Sequence, residues 1–79
     1  MKRYSLQYTS DEYNRFSNRG PYDHFYGYAS TIAGAKKYIS RIKKSYLRRE
    51  NPRNFRIYDH EADIDPSTGY VPCVYQQEV

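Results

Sequence analysis

Tryptophan is absent from this 79-residue chain, and cysteine and methionine occur once each. A single cysteine, Cys73, excludes an internal disulfide and suits a reducing, cytoplasmic setting. Cys73 reads as a small core filler and not a nucleophile, since free cysteine is among the most buried residue types. No apolar run approaches the roughly 20 residues that span a bilayer, and the charged start Met1-Lys2-Arg3 leads into no signal-length apolar stretch. A Gly-rich phosphate loop, a nucleophile elbow and a paired catalytic set are all missing, which argues against an enzyme. His24 and His60 lack zinc-site spacing. The run Asp59, Glu61, Asp63, Asp65 departs from a calcium loop, having Ile64 where glycine is required and Tyr70 where glutamate is required. The expectation is therefore no cofactor, no metal and no membrane.

Acids are missing from one long stretch. Ser30 to Glu50, "STIAGAKKYISRIKKSYLRRE", holds seven lysines and arginines and no acid before its last residue. Charge is divided along the chain. Residues 1–56 carry all thirteen bases against four acids, a balance of +9, and residues 57–79 carry five acids and no base, a balance of −5. Such a division points to an electrostatic partner on the basic side, or to pairing between the two segments through residues such as Arg53 and Arg56.

What is abundant is tyrosine, eleven of the 79 residues. A chain of this length buries only about 60–65% of the surface its unfolded form exposes. Tyrosine suits the thin core that results, filling it with a ring while its hydroxyl reaches water. Four segments alternate as half-buried strands do: Lys2–Thr9 with Tyr4, Leu6 and Tyr8 on one face, Tyr22–Ala29, Asn54–His60 with Phe55 and Ile57 on one face, and Tyr70–Gln76. Gly27 marks a bulge or a close backbone contact, and Pro72 places the last strand at an edge, because proline cannot donate to a ladder. Between the first two strands, Ser10 can cap a short turn with Tyr13 and Phe16, broken at Arg19-Gly20-Pro21.

One helix follows Ser30 or Thr31. Ile32, Ala35, Ile39, Ile42 and Tyr46 recur at spacings of three and four, and the Asn51-Pro52 pair ends the pattern. The expected fold is α+β, a single domain over residues 1–79 with one antiparallel four-stranded sheet and one helix in the order ββαββ. Opposite the apolar stripe, Lys37, Arg41, Lys44 and Arg48 fall within about 60° of one another on the helical wheel. Lys36 and Lys43 flank the stripe, where their methylene stems can cover apolar edges. A solvated face usually mixes signs, and like charges four apart repel by a few tenths of a kcal/mol, roughly, per pair. The row is therefore a candidate partner-binding face for an anion. Tyr26, Tyr28 and Tyr58, on strands, are the second candidate, because exposed tyrosines supply large contact area at low entropy cost.

The small size, the lack of a catalytic motif and the ββαββ order, with the Ala/Lys-rich helix "TIAGAKKYI" set between strands, resemble the small phage-encoded anti-CRISPR proteins. The resemblance spans about Lys2 to Gln76 and rests on architecture. It implies a non-enzymatic viral inhibitor that binds a host defence complex of the CRISPR-Cas type, a protein or ribonucleoprotein in the host cytoplasm, and blocks it sterically. Many members of that group are acidic and mimic DNA. This chain's basic helix instead fits an acidic protein surface or bound nucleic acid. The alternatives are a nucleic-acid-binding module using the helix face, and an assembly protein with tyrosines in its interface.

Overall fold

The computed structural model describes residues 3–11, 21–47 and 50–79. The expected turn residues Tyr13 and Phe16, and the break at Arg19-Gly20, lie outside them. The chain forms β1 (Tyr4–Ser10), β2 (Tyr22–Ala29), α1 (Ile32–Ser45), β3 (Arg53–Asp59) and β4 (Cys73–Gln77). The strands make one antiparallel sheet ordered β2-β1-β3-β4, so the fold is α+β with the order ββαββ.

One face of the sheet carries the helix. Leu6 and Tyr8 of β1, Ala29 of β2, and Phe55 and Ile57 of β3 form one buried cluster with Ala35, Ile39 and Ile42 of α1. Ile32 and Tyr46 close the two ends of the stripe as partly buried residues, as do Tyr4, Tyr38 and Tyr75 around the cluster. The stripe is the expected one. Only Tyr38, off the stripe, was not foreseen; its hydroxyl donates to the Tyr28 carbonyl at 3.0 Å and ties the helix to β2.

Each strand pair contains a register shift. In β1·β2 the partners run Leu6↔Gly27 and then Gln7↔Phe25, which leaves Tyr26 as the extra residue of a bulge. This is the irregularity that Gly27 marks. A Cβ built at Gly27 would meet nothing within 4 Å, so no close backbone approach requires glycine there. The β1·β3 shift falls where Asn54 adopts a left-handed φ of 53°, a conformation that asparagine tolerates better than most residues.

Two boundaries differ from the sequence expectation by three residues or more. The helix ends at Ser45, not at Asn51-Pro52: Tyr46 turns extended, its N–H still bonding the Ile42 carbonyl at 3.2 Å, and its hydroxyl meets that of Tyr8 at 2.6 Å. Packing of that ring on the sheet overrides the helical propensity of the residues beyond it. At the other end of the chain, Tyr70 and Val71 belong to a turn, and β4 begins only after Pro72. The edge position of β4 is as expected. Cys73 is exposed, a correction to its reading as core. It opens an edge strand with sheet on one side only, and its thiol donates to the Tyr75 carbonyl at 3.2 Å. Among the described residues, no helix is long and apolar enough to cross a membrane.

Candidate partner-binding faces

The helix face is built by a conventional start. Thr31 is the N-cap, with extended backbone, and its hydroxyl accepts the Gly34 N–H at 3.0 Å while its carbonyl accepts the Ala35 N–H at 3.1 Å. With Ala35, Ile39 and Ile42 buried, rotation of the helix is set, and Lys37, Arg41 and Lys44 lie exposed on its outer side. Arg48, the fourth residue of the expected row, lies outside the described residues.

The flanking cations behave as the wheel implies. Lys36 Nζ sits 4.3 Å from the centre of the Tyr75 ring, and Lys43 Nζ sits 5.6 Å from that of Phe55, each covering an edge of the core. Arg41 lies 5.8 Å from the Tyr38 ring centre. Lys37 and Lys44 make no such contact among the described residues. Lys43 and Lys44 also stand in the last turn, where the helix dipole favours positive charge. That accounts for those two, the Tyr38 ring offers a partner to Arg41, and Lys37 is left without a structural reason to be basic.

Four acids are engaged by arginines outside the helix. Arg3 forms a two-pronged pair with Asp59, at 2.7 and 2.8 Å, and reaches Glu61 at 3.4 Å. Arg53 holds Asp11 at 2.9 Å, and Arg56 approaches Asp23 at 3.4 Å. Among the described residues, ion pairing between the acidic C-terminal segment and the rest of the chain is thus made by Arg3, and not by Arg53 or Arg56. Among the described residues no cation of α1 has an acid partner. The hydrogen bonds from Arg3 hold the Asp59 carboxyl down to about 2, and the same bond raises the Arg3 guanidinium above its ordinary value. Asp23 is lowered by the Thr9 hydroxyl, which donates to it at 2.7 Å, and then by Arg56.

The three candidate tyrosines do not share one surface. Tyr28 and Tyr58 both pair with Ser5 and so stand on the sheet face away from the helix, which is open. Tyr26, displaced by its bulge, meets the helix side: its ring centre is 4.9 Å from that of Tyr38, and it lines a cleft of about 430 Å³ with Tyr8, Ile42, Ser45, Tyr46 and Glu50. Simple alternation would put residues 26 and 28 on one face, and the bulge undoes it.

On the open face the structure assembles residues that alternation alone did not single out. Phe25 and Tyr28 meet edge to face at 5.1 Å, and Tyr28 meets His60 at 5.7 Å. His60 Nε2 lies 2.6 Å from the hydroxyl of Ser5, which is buried beneath it. Gln7, Tyr58, His60, Tyr70 and Val71 line a cleft of about 330 Å³. His60 and Tyr70 were invisible as site residues because a turn, not a strand, carries them here. Among the described residues no group of three His, Cys, Asp or Glu could hold a metal ion. Comparison with protein families, with curated proteins and with solved structures finds no match to this chain.

Proposed function

We propose that this chain is a small non-enzymatic inhibitor that docks the outer face of α1 on an anionic surface of a host defence complex of the CRISPR-Cas type and blocks it sterically. One observation carries the anionic part: Lys37, Arg41 and Lys44 line an exposed helix face with no acid partner among the described residues, while Asp11, Asp23, Asp59 and Glu61 pair with arginines outside the helix. Those four acids are held by arginines outside the helix, and the helix cations face solvent. A surface left with one sign of charge attracts a partner of the other and speeds encounter with it. The defence-complex part rests on the resemblance of the small ββαββ plan to anti-CRISPR proteins.

The same row supports a second reading, direct binding of phosphates by a nucleic-acid-binding module. From Lys37 to Lys44 the helix rises about 10 Å, a length along which several phosphates of a duplex are within reach. A pull-down from bacterial lysate, with and without nuclease, separates the two. Recovery of a nuclease-resistant protein partner supports the inhibitor. Loss of all recovered material on nuclease treatment overturns it in favour of the module.

A further inference from the structure

The open face of the sheet offers a second surface, with chemistry opposite to that of the helix. Its cleft is lined by Tyr58, His60 and Tyr70 together with Val71 and Gln7. The Gln7 amide makes no side-chain hydrogen bond among the described residues, so its carbonyl is available to a donor. Tyr70 is 74% exposed, and its backbone is held in a turn. The Asp65 carbonyl accepts the N–H groups of Thr68 and Gly69, the Tyr70 carbonyl accepts the Asp65 N–H at 3.0 Å, and the Tyr70 N–H bonds the Thr68 hydroxyl at 3.2 Å. Gly69 closes this turn at a φ of 76°, which a residue with a side chain rarely adopts. A large ring is thus presented to solvent from a backbone held by the turn, so binding orders the side chain alone.

Charge around the cleft selects the ligand. The loop that supplies His60, Tyr70 and Val71 also carries Glu61, Asp63 and Asp65 and no lysine or arginine. Cations on this side, Arg3 and Arg56, each have an acid partner. A phosphate chain would meet this acidic loop unfavourably. A cation would meet the negative faces of the rings, the Gln7 side-chain carbonyl and, on the same loop, Asp63 and Asp65, which no arginine holds among the described residues.

We propose that this cleft is a binding site for a single arginine or lysine side chain of a protein partner, an aromatic slot with an acidic border. The site is independent of the helix face and stands whichever partner that face takes.

The test is titration of the isotope-labelled full chain, followed by NMR, with a glycine-serine peptide carrying one central arginine. The controls are the same peptide with citrulline in its place, and oligothymidylate. The expected result is saturable shifts centred on Gln7, Tyr58, His60, Tyr70 and Val71 with the arginine peptide, and none with either control. Tyr70→Ala, which keeps the backbone bonds of the turn, is expected to weaken binding about tenfold, as loss of one desolvated cation–π contact would. An equal response to citrulline would overturn the proposal in favour of a neutral planar ligand. A response to oligothymidylate at the same residues would overturn it in favour of base stacking, and the absence of shifts at these residues would overturn it outright.

Discussion

Replacing Ile39 examines the packing on which both faces depend. Ile39 is 4% exposed and stands at the middle of the helix stripe, between buried Ala35 and Ile42, in one cluster with Leu6, Phe55 and Ile57. Ile39→Ala removes three carbons from that cluster, a change that costs about 2–5 kcal/mol in a packed core. Alanine's higher helix propensity returns only about 0.4 kcal/mol, so the loss of packing wins. A domain of this size has a total stability of roughly 4–12 kcal/mol. The alanine variant should therefore show a transition lowered by about 6–37 °C, on the scale of roughly 4–8 °C per kcal/mol for small domains. Ile39→Asp adds an unpartnered carboxylate to the same site, and the domain should not fold at neutral pH. Neighbouring Ser40, which is exposed, provides the control: Ser40→Ala should shift the transition little, by about 0.5 kcal/mol or less. Thermal unfolding followed by circular dichroism reads all three. An Ile39→Asp protein that melts within about 3 °C of the parent would refute the packing of α1 on this sheet.

Three further outcomes follow from particular contacts. Thr31→Ala removes the hydroxyl that accepts the Gly34 N–H and should cost about 1 kcal/mol, read from the urea midpoint. Acid should destabilise the fold through Asp59, whose carboxyl is held at about 2 by Arg3. A carboxyl lowered in the folded state contributes its stability above the unfolded value near 3.8 and loses it as pH falls toward 2, so the urea midpoint should drop across that window, and drop less in Asp59→Asn. Cys73, exposed on the edge strand, should react with a thiol reagent in the native protein as fast as in the unfolded one, and protection of the thiol would show that it is covered.

How much of this was legible in the sequence differs between elements. The stripe Ile32, Ala35, Ile39, Ile42 and Tyr46 was readable because a helix on a sheet must bury one narrow face, and β2 was readable to the residue because its aromatic alternation stops at Gly20-Pro21 and Ser30. The outer position of Lys37, Arg41 and Lys44 follows from the same stripe. What local pattern could not supply was the extra residue at Tyr26, which parts it from Tyr28 and Tyr58. A bulge is decided by how two strands match along their whole length, and Gly27 hints at one without saying which side chain moves. Nor could alternation find the cleft of Gln7, Tyr58, His60 and Tyr70, which brings together β1, β3 and a turn far apart in sequence. Cys73 misled because residue type predicts average burial, while exposure here is set by the place of β4 at the sheet edge.

Whether the outer face of α1 is a working surface is decided by capture of a partner with a charge-reversed helix. Lys37→Glu/Lys44→Glu is the variant of choice, because neither lysine touches a ring or an acid among the described residues, whereas Arg41 lies over Tyr38. Parent and variant are immobilised, challenged with the same bacterial lysate at about 0.05 M and 0.5 M salt, and compared for the partner retained; exposed charges are screened within roughly 10 Å at about 0.1 M. The account predicts a partner held by the parent at low salt, released at high salt, and lost by a variant whose circular dichroism and melting match the parent. Equal capture by parent and variant, or capture indifferent to salt, would contradict it and leave the basic row as no more than the solvated side of a helix.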